Sequence, residues 1–311
     1  MSEGAIEVSV VVCTRNRSAR LRATLDSLSA QASDGIRWEV VVVDNGSDDG
    51  TADVVADFES DLPIRCVPEP ELGLSHARNR GVHEARGGTI VWIDDDVILS
   101  AGWLSAWVDG IRAYPDAAFF GGGIEVHFEA APPPWIDAGW RWFGSLFAER
   151  HVPEPGARVQ ADYLPFGANY AVRTAAQRRV PYDPALGRRG GQVAGGEETT
   201  LLADLLDRGL EGRWVAGSEL HHVIGPERVT LERLHTQIRE NARLLADPPR
   251  GSSGDPLSAA QIRRRWIRSA VVHGIRRRTS GPERWVNSFV EAAVWRGHLD
   301  RVEAAGRGQD V

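Results

Sequence analysis

Two seven-residue runs, Val8–Thr14 (VSVVVCT) and Trp38–Asp44 (WEVVVVD), are apolar at almost every position. A strand with one wet face alternates apolar and polar residues; a run without alternation is covered on both faces. Strands of that kind belong to parallel sheets held between helices. The intervening sequence supplies those helices. Ser18 caps a stretch that sets Leu21, Leu25 and Leu28 on one side. Further helices are expected at Thr51–Phe58, Ser75–Ala85 and Gly102–Tyr114, and further strands at Pro63–Glu69, Gly87–Asp94 and Ala117–Phe128. This βα alternation predicts an α/β fold: a mainly parallel, Rossmann-like sheet flanked by helices on both faces.

In such sheets the ligand crevice opens at the carboxyl ends of the strands. Thr14-Arg15-Asn16-Arg17, Asp44 and the triplet Asp94-Asp95-Asp96 all stand at such ends. Three adjacent carboxylates repel one another and lose hydration at a buried strand end. A hard divalent cation relieves that repulsion, because it takes carboxylate oxygens as ligands. Capping and turn formation are the structural alternative for one aspartate, and account poorly for three. Glu197 and Glu198 open an expected helix, Glu197–Arg208, behind the glycine-rich stretch Arg188–Gly196. Acids complement a helix N-terminus, and one placed there is equally suited to act as a general base. His221 and His222 end a strand-like run, whose alternation sends one imidazole inward and the other outward. Arg78 lies in GLSHARNRG, where a helix start and an arginine together favour anions.

Regularity fails after Phe128. EAAPPPWIDAGWRWFGSLF reads as an insertion, and its Trp135, Trp140, Trp142 and Phe143 either pack internally or form a lip over an acceptor cleft. GANYAVRT, with Asn169, and Arg213–Val223 read as strands, and Thr230–Leu245 as a helix. Residues 247–256 read as a linker between a catalytic domain, 1–246, and a helical C-terminal appendage, 257–311. The appendage has two expected helices, Leu257–Arg278 and Pro282–Val302. The first places Ile262, Trp266, Ala270 and Val271 along one side and crowds the rest with arginine. Docking on the catalytic domain, a homodimer and peripheral contact with an anionic membrane all suit it.

The net charge of −7 over 311 residues argues against a nucleic-acid partner. Every basic residue is arginine, so a lysine Schiff base and a phosphate-loop lysine are excluded. Cys13 and Cys66 lie in apolar runs without zinc-type spacing and are expected as reduced thiols. No signal-peptide pattern and no membrane-length apolar run is read, so a cytoplasmic location is expected, with the inner membrane face left open.

The segments VSVVVCTRNRSARLRATLDSL, VVVVDNGSDDGT, LGLSHARNRG, IVWIDDDVILSAGWL, GANYAVR and GGEETTLLADLLDRG follow one another with compatible spacing. In that combination the chain closely resembles the family 2 glycosyltransferases of the GT-A fold, over about Val8 to Leu245. The resemblance implies a nucleotide-diphospho-sugar donor, Mn²⁺ or Mg²⁺, and inverting transfer to a hydroxyl acceptor of unspecified type: glycan, lipid-linked or small molecule. It also implies roles. Asp44 would bond the nucleobase, and Cys13, Thr14, Arg15, Asn16 and Arg17 would line the base and ribose. Asp96 would hold the metal with His222, while Asp94 or Asp95 sits nearer the ribose. Arg78 would brace the nucleotide or the aspartates, and Glu198 would be the catalytic base. Trp135, Trp140, Asn169 and Glu197 are placed on the acceptor side. Two departures stand out. Arg15 occupies a position that is usually aromatic, and Glu198 one where aspartate is commoner; the extra methylene moves the carboxylate by about 1.5 Å.

Two other readings compete. A sugar-1-phosphate nucleotidyltransferase would show a glycine-rich basic loop after the first strand, and CTRNRSAR contains no glycine. A non-catalytic nucleotide-binding protein would have lost the acids, and all are present.

Overall fold

The computed structural model describes residues 5–187, 195–244, 249–250 and 255–307. Along the chain run β1 (Val8–Thr14), α1 (Ser18–Ser29), β2 (Trp38–Asp44), α2 (Thr51–Asp57), β3 (Ile64–Pro68), α3 (Leu74–Glu84), β4 (Thr89–Ile93), β5 (Val97–Leu99) and α4 (Trp103–Ala113). Next come β6 (Phe119–Gly121), β7 (Ile124–Phe128), the single turns α5 (Trp135–Ala138) and α6 (Trp140–Phe143), β8 (Asn169–Arg173) and the turn α7 (Thr174–Gln177). The remainder is α8 (Glu197–Asp207), β9 (Gly212–Trp214), β10 (Leu220–Ile224), α9 (Leu231–Leu244), α10 (Ala259–Thr279) and α11 (Pro282–Arg307).

The chain divides into two compact units. One comprises residues up to His127 together with Ala148–Val223; the other comprises Phe128–Phe147 and Ile224 onward. These units do not divide at the expected boundary, residue 246. The tryptophan-rich insertion and α9 group with the C-terminal helices, because that is where their apolar faces are buried. Of the expected linker, only 249–250 and 255–256 are described, and Arg250 bridges Pro256. Most of the expected glycine-rich loop, residues 188–194, lies outside the described residues.

The first unit is built on a seven-stranded sheet ordered β3-β2-β1-β4-β8-β6-β9. β1 pairs in parallel with β2 and β4, β2 with β3, and β6 with β9; β8 alone runs antiparallel to both neighbours. The unalternating runs have the expected cause. Val10, Val12, Val40 and Val42 pack with Leu21, Leu25 and Leu28 of α1 and with Trp103 and Trp107 of α4. Val11, Val41 and Val43 pack on the opposite face with Ala77 of α3 and Leu201, Leu202 and Leu205 of α8. Each of these seven valines has 0% exposure, and burial of such a side chain contributes about 1.5–3 kcal/mol.

Two expected strands each prove to be two. Ala117–Phe128 breaks at Gly121–Gly123, and Arg213–Val223 breaks at the 215–219 turn. Their second halves, β7 and β10, leave the large sheet and form a smaller one ordered β5-β10-β7. The added strand β5 directly follows the aspartate triplet and pairs antiparallel with β10, with Val97 opposite His222.

In the second unit, α11 packs against both α9 and α10. Gly297 allows close approach: a β-carbon there would lie 2.2 Å from the Arg239 carbonyl oxygen of α9. Trp135 lies 6.1 Å from Trp285 and 5.9 Å from Phe143, ring centre to ring centre. Trp140 meets Phe128 edge to face and Phe147 at a tilt, both at 6.1 Å between ring centres. The indole of Trp142 donates to Asn287 at 3.1 Å. Among the described residues, no helix is long and apolar enough to cross a membrane.

Candidate active site

Register brings the polar strand ends together. Thr14 lies opposite Asp44, and Val12 opposite Ile93, so the residues after β1, β2 and β4 emerge side by side. Two short loops are stapled to one another. Ser47 Oγ accepts from the Asn16 backbone N–H at 3.0 Å, and Asn16 Oδ1 accepts from the Asp48 N–H at 2.8 Å. Asn16 takes a left-handed φ of 52° in this turn, a conformation asparagine tolerates better than most residues. Asp44 accepts from the Ser47 N–H at 2.9 Å. Asn45 donates to the carbonyls of Glu69 and Glu71 and so ties in the loop before α3. Arg15 is exposed at the rim.

The three aspartates have different surroundings. Asp94 is the most open, at 38% side-chain exposure. Asp95 is buried; it accepts from the Thr14 hydroxyl at 2.7 Å and from Arg17 at 2.6 Å. Asp96 is also buried; it accepts from the other arm of Arg17 at 2.6 Å and lies 3.4 Å from His222 Nε2. Arg17, read as lining the ribose, thus spans two carboxylates with one guanidinium. Loss of hydration pushes the Asp95 carboxyl up, to about 7, and the Asp96 charge adds to this; Arg17 and the Thr14 hydroxyl pull it back. The Cys13 thiol is pushed up to about 12 by burial and stays protonated at neutral pH. Both cysteines are free.

β5 aims the histidine. Its pairing with β10, with the Val223 N–H donating to the Asp96 carbonyl at 2.8 Å, sets His222 against the triplet. Alternation turns His221 outward to Glu125, 3.4 Å away. One ligand atom from each of Asp94, Asp96 and His222 falls within 4.8 Å of the others. Two carboxylates and an imidazole are donors suited to Mn²⁺, and less so to Mg²⁺, which prefers oxygen. The residues present therefore fit a divalent cation.

Arg78 joins this cluster to the glutamate pair. Its guanidinium is buried, 2.8 Å from Glu197, 3.7 Å from Glu198 and 3.9 Å from Asp94. It lies over the rings of Tyr182 and Tyr170, at 5.5 and 5.9 Å. These two tyrosines bond to each other through their hydroxyls. Neither tyrosine carries a sequence signal that separates it from an ordinary packing residue.

The two glutamates differ. The Glu197 side chain is 2% exposed and is the counter-ion of Arg78. Placed on the acceptor side by expectation, it is buried against Arg78 in the structure. Glu198 is 14% exposed and accepts from the Gly167 N–H at 3.3 Å. A β-carbon at Gly167 would lie 2.7 Å from Arg78 and 3.3 Å from the Glu198 carboxyl carbon, so glycine keeps this space open. Asn169, placed there too, is wholly buried, donates to the carbonyls of Gly123 and Ser218 at 2.7 Å each, and accepts from the Trp103 indole at 3.2 Å. It braces the crossing between the two sheets. Trp135 and Trp140 belong to the second unit, where ring packing employs both.

Residues 9–163 match the model of the family described as "Glycosyl transferase family 2". The chain belongs to that family. The family match takes in Arg17, Asp44, Arg78 and the aspartate triplet and ends before Glu197 and His222. A validoxylamine A glucosyltransferase from Streptomyces hygroscopicus subsp. limoneus is 40% identical over 101 residues, 32% of this chain and 22% of that one. The chain spans less than half the length of the curated relatives it matches first. Among solved structures, the mannosyltransferase PcManGT from Pyrobaculum calidifontis, in complex with GDP-Man and Mn²⁺, superposes with a TM-score of 0.56 at 18% identity. That match covers 99% of this chain and 76% of that one. S. aureus TarS 1-349 in complex with UDP gives 0.55 at 15% identity, covering 98% and 92%. At such identities the likeness establishes the fold, GT-A, with helices C-terminal to it.

Proposed function

We propose that this family 2 protein transfers a sugar from a UDP- or GDP-linked donor to an acceptor hydroxyl in one inverting displacement, with Mn²⁺ or Mg²⁺ bound. One observation carries the reading. A cation-type donor set (Asp94, Asp96, His222) and a partly open carboxylate (Glu198) converge on one strand-end crevice, with Arg78 between them. The GDP-Man, UDP and Mn²⁺ held by the two structural neighbours are the kinds of ligand such a crevice suits.

Asp94, Asp96 and His222 would hold the cation, whose positive charge supports the departing diphosphate. Asp44 bonds the base, and the Cys13–Arg17 turn lines base and ribose. Arg17, more than a third exposed, keeps Asp95 and Asp96 from repelling one another. Glu198 takes the acceptor proton on the side away from the leaving group. Arg78 holds Glu197, and through it the start of α8, so that Glu198 stays in line. Alignment of this kind supplies much of the rate.

Release of UDP or GDP from a panel of sugar nucleotides, with acceptor present, tests the reading. Release with a particular donor, lost in EDTA and restored by Mn²⁺, is expected. The anomeric configuration of the product, read by NMR, is expected to be inverted; retention would refute the single displacement. Turnover that survives excess EDTA would refute the cation's role.

A further inference from the structure

Helix α10 carries seven arginines, Arg263–Arg265, Arg268 and Arg276–Arg278, and no acidic residue, in a chain whose net charge is −7. At about 100° per residue, its side chains sort into two opposed faces. Ile262, Trp266, Ser269 and His273 form the first. Ile262 and Trp266 pack with Leu299, Trp295 and Val302 of α11, and His273 lies 5.9 and 5.5 Å from the rings of Trp285 and Phe289. Arg263 pairs with Glu303 at 2.7 Å and Arg265 lies 5.0 Å over Trp295, so both arginines belong to this docked side.

The second face is turned by about 180°. Ile267, Val271 and Ile275, spaced i, i+4, i+8, are 51%, 56% and 57% exposed. Arg264, Arg268 and Arg278 fall within the same stripe, and neither Arg264 nor Arg268 forms an ion pair among the described residues. The expectation that Val271 shares a side with Ile262 and Trp266 is thereby corrected.

We infer that this second face of α10 docks on the surface of an anionic lipid bilayer. Charge complementarity decides the occupant. A symmetric dimer through this face would set the stripe's arginines against their own copies, because a two-fold interface presents the same patch twice. A soluble polyanion would satisfy the arginines and leave three large aliphatic side chains in water. An acidic bilayer satisfies both: the aliphatic side chains enter the headgroup boundary, and the arginine stems run along them to the phosphates. The inference is independent of the crevice chemistry.

The test is flotation of the full chain with phosphatidylcholine vesicles containing phosphatidylglycerol, and with phosphatidylcholine alone. Binding to the first, weakened at 0.5 M salt, and not to the second is expected. Arg264→Gln/Arg268→Gln should weaken it about 25-fold, at roughly fivefold per arginine. Ile267→Ser/Val271→Ser should weaken it at least about tenfold, with an unchanged circular dichroism spectrum and melting curve. No flotation at low salt overturns the proposal. So does flotation indifferent to both double variants, which would place the contact elsewhere. Binding to heparin that depends on the arginines and not on Ile267 and Val271, without vesicle binding, would identify a polyanion site and overturn it as well.

Discussion

Arginine does opposite work in the two units. In the first, Arg17 and Arg78 are spent on carboxylates: Arg17 on Asp95 and Asp96, Arg78 on Glu197 with Glu198 and Asp94 nearby. Asp95, Asp96 and Glu197 are buried and would be intolerable alone. In the second unit, α10 holds arginines that face solvent with no carboxylate partner among the described residues, as at Arg264 and Arg268. The difference is one of solvation. A charge taken out of water must be matched where it stands, so its partner reveals a site. A charge left in water needs no match, so an excess of one sign reveals a surface.

The largest effect should come from breaking a buried match. Arg78→Met takes from the buried Glu197 its ion pair at 2.8 Å. Removal of one member of a buried pair costs about 3–5 kcal/mol. The denaturant midpoint of the first unit should fall accordingly. Arg78→Met/Glu197→Leu should recover much of the loss, because the carboxylate that lost its ion pair is removed with it. A double variant no more stable than the single one would show that Arg78 acts through its tyrosine contacts instead.

Glu198→Gln tests the partly open carboxylate against its buried neighbour. It should lower kcat by at least about 10²-fold, the lower range for a general base, with donor affinity and melting temperature unchanged. Glu197→Gln should instead destabilise the fold. If donor affinity collapses while kcat holds, Glu198 binds rather than catalyses.

These contrasts show what could be read from sequence. Both-face burial of β1 and β2 was legible because Val8–Thr14 and Trp38–Asp44 do not alternate. The gathering of Asp44 and Asp94–Asp96 was legible because parallel strands end at one edge. Alternation alone left His221 and His222 open and the resemblance named His222; the three-residue β5 that turns it to Asp96 is too short to leave a pattern of its own. Arg17 bridging Asp95 and Asp96 is a contact across 78 and 79 positions, with no local signature. The burial of Glu197 and Asn169 was not legible, because it depends on neighbours such as Arg78 and Trp103, distant in the chain. The split of Ala117–Phe128 was marked by Gly121–Gly123, yet its apolar flanks concealed the change of sheet.

Titration separates the units more gently. Burial holds His235, His273 and His298 of the second unit below the usual histidine range, and Arg239, Arg277 and Arg301 respectively add to it. The unfolded chain then binds protons more readily than the folded one. The stability these groups support is fully present above the unfolded histidine value of about 6.5 and is lost as the pH falls below it. The hydrogen-exchange protection factors of α9–α11 amides, taken relative to the intrinsic rate at each pH, should therefore fall between about pH 7.5 and 5.5 by more than the fold-wide loss predicts. His273→Gln should flatten the response, and an unchanged pH profile in that variant would exclude His273 as a contributor.

The smallest effect should come from an arginine of the exposed face, and its sign is informative. Arg264 and Arg268 are exposed, four residues apart on α10, and unpaired with any acid among the described residues. Surface substitutions away from special features stay within about 0.5 kcal/mol. Like charges at i and i+4 on a helix repel by about 0.2–0.5 kcal/mol, so Arg264→Gln removes a repulsion and should slightly stabilise the protein. The gain should appear in a low-salt melting curve and vanish near 1 M salt, where the screening length falls to about 3 Å. Arg78→Met should remain destabilising at both salt concentrations, because its partner is shielded from the solvent ions. A salt-independent loss of stability in Arg264→Gln would mean that Arg264 is matched within the fold, and the distinction between the two kinds of arginine would fail at that residue.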